Sequence, residues 1–211
     1  MNQSRPIIFF LWVSIFGILL NGCTTLLTET AKKALEDRTT EDQATDTKIG
    51  AGILSRFSEK DKGLLLDVNA DVWEQRVLVT GTLDDPNIRE EVVKLVKTDP
   101  RIVQVYDEIQ MVTPEEKERR RKEAEEQGKK DTEGMGQSVD DFWIATKIEG
   151  QLIGAKGVTS VNYRWRSVRN QVYLIGRASS QAELDKVLEI CRQTKGVSSI
   201  THFVEIKPVT S

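Results

Sequence analysis

The chain has one histidine and two cysteines in 211 residues. That scarcity removes most catalytic chemistry at the outset. His202 stands alone, so no Ser-His-Asp or Cys-His arrangement can be drawn around it. Two cysteines build neither a disulfide framework nor a cysteine metal site. Glycine-rich phosphate loops and metal-ligand spacings are also absent. Paired acids such as Asp84-Asp85 and Asp140-Asp141 fall at turns or helix starts, where capping accounts for them. The net charge of −3 names no partner and points to no nucleic acid. No enzyme, cofactor or metal is expected.

What is present begins at the N-terminus. Arg5 precedes an apolar run of 14 residues, Ile7 to Leu20, followed by Leu20-Asn21-Gly22-Cys23. A positive start, a short hydrophobic core and a small residue before the cut describe an export signal. An uncleaved membrane helix is the alternative, but spanning takes about 20 apolar residues. The run ending in Gly22-Cys23 resembles the lipobox of bacterial lipoproteins. That resemblance implies a signal peptide over 1–22, cleavage before Cys23, and acyl groups (palmitate among them) on the new N-terminus. Thr24 stands where an aspartate would favour retention in the inner membrane, so the resemblance implies the periplasmic face of an outer membrane. Cys191, left alone in an oxidising compartment, is expected to be buried.

The remaining 189 residues contain a repeat. Val77-Leu78-Val79-Thr80-Gly81 matches Val172-Tyr173-Leu174-Ile175-Gly176 at an offset of 95. Ile102, Val105 and Ile109 fall on Val197, Ile200 and Val204 at the same offset. Upstream, Thr47-Lys48-Ile49 matches Thr146-Lys147-Ile148 at 99, which puts four extra residues in the first copy. Each copy reads helix, hairpin, helix, strand. Ile49, Ile53 and Leu54, or Ile144, Ile148 and Leu152, recur at helical spacing, with Asp46 and Asp140 or Asp141 as N-caps. Val68, Ala70 and Val72, or Tyr163 and Trp165, alternate with polar residues. Second helices carry Val92 and Val96, or Val187 and Cys191, which makes the thiol a core group. The fold class is α+β: two tandem α-β-β-α-β two-layer sandwiches, each a three-stranded sheet covered by two helices. Units of this size hold small cores, so contact between the copies is expected.

Helix, hairpin closed by glycine, helix, then Gly196-Val197-Ser198-Ser199-Ile200 resembles the BON domain. A lipoprotein with two such units is similar to the dual-BON outer-membrane lipoproteins of Gram-negative bacteria. Arg101-Ile102 departs from the Gly-Val that the family favours in the first copy. Members of that family bind phospholipid, maintain the permeability barrier, respond to envelope stress and are not known as enzymes. The expected organisation is a signal peptide over 1–22, a lipidated tether over 23–45 and a first BON-like domain over 46–112. A charged helical linker over 113–138, a second BON-like domain over 139–207 and a tail over 208–211 complete it. As a flexible coil the tether reaches about 25 Å. The linker opens with Thr113-Pro114-Glu115-Glu116, a strong helix start, and has almost no apolar face. It reads as a solvated helix to about Gln127 and a loose joint beyond, a spacer or else a docking site.

The copies differ in charge. Residues 46–112 carry 9 basic and 13 acidic side chains, and residues 139–207 carry 10 and 7. A basic surface attracts anionic headgroups, and Arg164 and Arg166 project from the strand face where they add to that field. On the second copy's first helix, Trp143 lies nearly opposite Ile148, with Phe142 and Ile153 on its side and Lys147 one turn on. Its counterpart in the first copy, at the offset of 99, is Ala44. Tryptophan suits the headgroup layer. In the dual-BON lipoproteins this position is a lipid-contacting surface, and the resemblance implies the same for Trp143. Packing of Trp143 against the first copy or the linker is the alternative. Two functions follow. The first is a lipid-anchored phospholipid-binding protein, with Trp143, Phe142, Ile153 and Lys147 as the contact and Cys23 as the anchor, supporting outer-membrane integrity under envelope stress. The second is a scaffold docking an envelope protein through the first domain and the charged helix. Oligomeric state is left open.

Overall fold

The computed structural model describes residues 35–128 and 139–208. The signal peptide, Cys23, most of the tether and the joint after Gly128 lie outside the described residues, as does nearly all of the tail. From Asp37 onward the chain belongs to one compact unit. Its elements are α1 (Thr40–Lys60), β1 (Val68–Trp73), β2 (Arg76–Leu83), α2 (Pro86–Lys97) and β3 (Gln104–Met111). There follow α3 (Pro114–Gly128), α4 (Val139–Gly154), β4 (Tyr163–Val168), β5 (Gln171–Ala178), α5 (Gln181–Gln193) and β6 (Ser199–Ile206). One-turn helices precede β1 and β4. In each sheet the middle strand pairs antiparallel with the strand before it and parallel with the strand after α2 or α5.

Each module is the expected two-layer sandwich. Ile49, Ile53 and Phe57 of α1 bury against Val77, Val79, Val92, Val96 and Ile109. In the second module Ile144, Ile148 and Leu152 of α4 bury against Val172, Leu174, Val187 and Cys191. Desolvation pushes the Cys191 thiol up to about 12, so it is a core group and not a nucleophile.

These pairings hold one offset of 95 from helix to last strand. Ile49 matches Ile144, Ile53 matches Ile148, and Phe57 matches Leu152. The match at 99 is therefore a coincidence of three residues. The first copy has no insertion before its hairpin, and Trp143 corresponds to Lys48, not Ala44.

Helix α1 starts at Thr40, inside the stretch expected to be tether. Thr39 is its N-cap and accepts the Asp42 N–H at 3.0 Å. Asp46, expected as a cap, sits in the second turn and holds the hairpin. Glu74 and Gln75 have φ of 48° and 63°, the type I′ turn of a two-residue hairpin, though neither is a residue that favours it. Their N–H groups donate to the Asp46 carboxylate at 2.7 and 2.8 Å. Asp141 does the same in the second module, accepting the Arg169 and Asn170 N–H groups at 2.9 and 2.8 Å. Both carboxylates are buried. Charge-assisted bonds to both turn amides offset the strain of positive φ at non-glycine residues.

Gly81 and Gly176 close the hairpins for a steric reason. A Cβ there would stand 2.1 Å from the Asp67 carbonyl oxygen, or 2.2 Å from that of Asn162, and φ is +138° or +154°. At Arg101 the first module departs from its counterpart Gly196. Gly196 has φ +104°, whereas Arg101 takes an ordinary conformation and forks onto Asp99 with bonds of 2.8 and 2.6 Å.

The sheets have a second buried face. Trp73 and Leu78 of the first module pack on Val168, Tyr173 and Ile175 of the second, flanked by Tyr106 and Phe203. The last two rings stack 3.9 Å apart. Arg76 donates to the carbonyl oxygens of Phe203 and Gly176 at 2.9 and 3.0 Å. The layer order is helices, sheet, sheet, helices. Arg164 and Arg166 face into this seam, not toward solvent. Arg166 forks onto Asp71 at 2.8 and 2.9 Å, and the Arg164 guanidinium lies 5.2 Å from the Trp73 ring centroid.

Helix α3 is bound to both modules instead of solvated all round. Arg121 forks onto Asp67 at 2.9 and 2.7 Å, and Lys117 pairs with Asp84 at 2.6 Å. On the other side Arg120 pairs with Asp141 at 3.0 Å, and Glu116 with Arg169 at 3.0 Å.

Candidate membrane-contact site

Helix α4 is fixed before its outer face is considered. Its core stripe is buried, and Asp141 ties its first turn to the hairpin, to the Ser167 hydroxyl at 2.7 Å and to Arg120. The Trp165 indole N–H donates to the Ala145 carbonyl at 3.2 Å, joining helix to sheet. Such a helix presents its opposite face without spare motion.

That opposite face exposes large apolar side chains among polar ones. Trp143 is 54% exposed and Ile153 64% exposed, values unusual for large apolar side chains on a helix with a complete core stripe. Phe142 is half-buried and meets Trp143 edge-on, 5.7 Å between ring centroids. Lys147 is exposed one turn beyond Trp143. Phe142 and Ile153 are eleven residues apart, so the strip runs about 16 Å along the helix. A Cβ at Gly150 or Gly154 would meet nothing within 4 Å, which leaves the strip low and open beside the two large side chains.

The structure thus brings together all four residues expected from sequence: Trp143, Phe142, Ile153 and Lys147. It also places Glu149, exposed, on the same side of the helix between Phe142 and Ile153, a negative charge the apolar pattern did not draw attention to. The positive charge of the second module is largely spent elsewhere. Arg166 is paired with Asp71, Arg169 with Glu116, Arg177 with Glu74, and Lys207 with Glu74 and Glu205. Apolar contact, not a broad positive field, is the main asset of this face. Asp46 and Asp141 were expected as helix caps, and their hold on the hairpin turns is what the sequence reading lacked; their common offset of 95 was the available signal.

Two small α+β sandwiches pack back to back, and the second carries large apolar side chains exposed on its first helix. Among the described residues no cluster of three metal-ligating side chains occurs, and no helix is long and apolar enough to cross a membrane. Residues 140–208, the span of the second sandwich from the first turn of α4 onward, match the BON domain family. An uncharacterized protein from the gshII 5′ region of Anaplasma centrale is 28% identical over 159 residues, covering 74% of this chain and 94% of that protein. The outer membrane lipoprotein DolP of Haemophilus influenzae is 22% identical over 189 residues, covering 87% of this chain and 88% of its own length. A 21 kDa hemolysin of Actinobacillus pleuropneumoniae is 24% identical over 137 residues, covering 65% of this chain and 61% of that protein.

Proposed function

We propose that the protein is a lipid-anchored envelope protein that binds anionic phospholipid at the periplasmic face of the outer membrane, there supporting membrane integrity under envelope stress. Acyl groups on Cys23 hold it to the bilayer. The second BON domain then lays Trp143, Phe142 and Ile153 into the headgroup layer, with Lys147 on a phosphate. The observation that carries the reading is the exposure of Trp143 and Ile153 on a helix whose other face is already buried in a complete core. The kinship with an outer membrane lipoprotein over most of the chain supports the location. Several acyl chains on one residue anchor stably, and the helix contact, weak by itself, gains effective affinity from that tethering.

The test uses the chain freed of residues 1–23 and vesicles of phosphatidylglycerol. Tryptophan emission is expected to shift to the blue on adding vesicles, as the exposed indole leaves water. Trp143→Glu is expected to abolish the shift and the co-sedimentation together. Equal binding by wild type and Trp143→Glu would refute the surface. Release of the intact mature protein by a wash that spares membranes, with no fatty acid on Cys23, would refute the anchor.

A further inference from the structure

The two modules differ at one place on their outer flanks. In the first, Arg89 of α2 reaches across to Asp107 of the edge strand β3, 2.9 Å away, and fills the space between helix and strand. The same repeat positions in the second module are Leu184 and His202, which form no such pair. A cleft of about 390 Å³ lies beside His202, lined by Leu188 and Arg192 of α5, by Val197 and Ser198, and by Ser199, Ile200 and His202 of β6. Strand β6 is an outer strand of its sheet, so one row of its backbone groups has no partner strand. Leu188, Val197 and Ile200 give the cleft an apolar floor. Arg192 and His202 give it a cationic and N–H-donating rim. The Arg192 side chain is 58% exposed and is held only by Glu189 on its own helix, at 3.1 Å, an exposed pair that a ligand displaces at little cost.

We propose that this cleft is a docking site for an extended acidic peptide, which adds to the β6 edge as a fourth strand beside α5. Main-chain bonds to β6 supply the affinity. Alternate side chains set the specificity, apolar ones toward Leu188 and Ile200, carboxylates toward Arg192 and His202. An acidic partner fits the rim, whereas a basic one meets Arg192 head-on. In the first module the Arg89–Asp107 pair stands at the equivalent of Leu184 and His202, and its carboxylate opposes an acidic strand. It is separate from the α4 face and independent of its role.

The test uses the full-length protein in dodecyl maltoside micelles and a fluorescein-labelled octapeptide of alternating valine and glutamate. Anisotropy is expected to show saturable binding, and hydrogen exchange is expected to slow at residues 199–206. Arg192→Glu, a surface change whose fold is checked by circular dichroism, is expected to weaken binding about tenfold, and Arg192→Glu with His202→Glu further. Trp143→Glu is expected to leave peptide binding unchanged, which separates this site from the lipid surface. Comparable binding of the valine–lysine peptide, or of a glutamate peptide with alternate backbone N-methyl groups, would overturn the proposal. So would protection that maps away from β6, or protection of 199–206 by phosphatidylglycerol vesicles in place of the peptide.

Discussion

Asp71 and Arg166 occupy the same position in the repeat, 95 residues apart, and they pair with each other through two bonds of 2.8 and 2.9 Å. Equivalent residues meet only where the two copies are related by a two-fold axis, as in an isologous dimer. Strand contacts follow the same rule, with β1 meeting β5 and β2 meeting β4. The duplicated chain thus packs on itself as two subunits of a homodimer do. Divergence has placed an acid at one copy of the position and a base at the other.

Reciprocity makes the pair exchangeable. Asp71 is buried, and its charge holds the half-buried Arg166 guanidinium above its usual range. Arg166→Ala leaves a buried carboxylate without its partner and is expected to cost about 2–3 kcal/mol. Asp71→Arg with Arg166→Asp puts each charge into the other's symmetric place and is expected to recover most of that loss. Urea midpoints of the three proteins decide it. A swap no more stable than the single variant would show that the surroundings of the two positions are not interchangeable.

The hairpin glycines admit no substitute. Gly176→Ala brings a Cβ to 2.2 Å from the Asn162 carbonyl oxygen at a φ of +154°, and Gly81→Ala meets the Asp67 carbonyl in the same way. So close an approach to backbone cannot be relieved by a rotamer change, so the strand start must move. Each change is expected to cost more than about 3 kcal/mol. Thermal unfolding followed by circular dichroism should show a large loss for either, while Gly150→Ala, with nothing near its Cβ, should be neutral or slightly stabilising.

Periodicity read one face of each element correctly. Ile144, Ile148 and Leu152 recur at helical spacing because a single face of α4 enters the core, and Cys191 fell on an apolar position of α5 for the same reason. The sheets defeated it because they are buried on both faces. Val77-Leu78-Val79 is a continuous apolar run, the mark of a strand covered on two sides, yet it was read as one side of a two-layer unit. Contact between the copies was expected from their small cores, but its place, the seam of Trp73, Leu78, Tyr173 and Ile175 that takes in Arg164 and Arg166, is not marked by a two-layer pattern. A three-residue identity at the offset of 99 carried less information than the apolar register at 95. Asp46 and Asp141 act across 28 residues to their turns, a relationship that local capping patterns do not contain.

Acid should weaken the first module through Asp99. The hydrogen bonds from the Arg101 guanidinium hold this buried carboxyl down at about 2, against an ordinary value near 3.8. The folded state therefore favours the ionised form. The stabilisation is full above about pH 4 and is lost as pH falls through 2. Arg101 is well exposed, so solvent screening keeps the contribution of the pair small. Arg101→Ala is expected to lower the urea midpoint at pH 6 and to make much less difference at pH 2. A gap that persists unchanged at pH 2 would assign the effect to packing of the arginine stem.

Glu149 is the residue that most restrains the proposed lipid surface, because it puts a negative charge between Phe142 and Ile153 and faces the same leaflet as Lys147. Near an anionic bilayer each added positive charge contributes about 1 kcal/mol, so Glu149→Lys, a change of two charges, is expected to tighten binding to phosphatidylglycerol vesicles by at least about tenfold. The gain should shrink as salt rises and vanish on phosphatidylcholine, whose surface carries no net charge. Trp143→Glu should remove binding in the Glu149→Lys background as well, since the apolar side chains remain the part that enters the bilayer. Tighter binding of Glu149→Lys to both lipids alike would mean that the substitution acts on the helix and not through charge, and that the strip does not face the membrane as drawn.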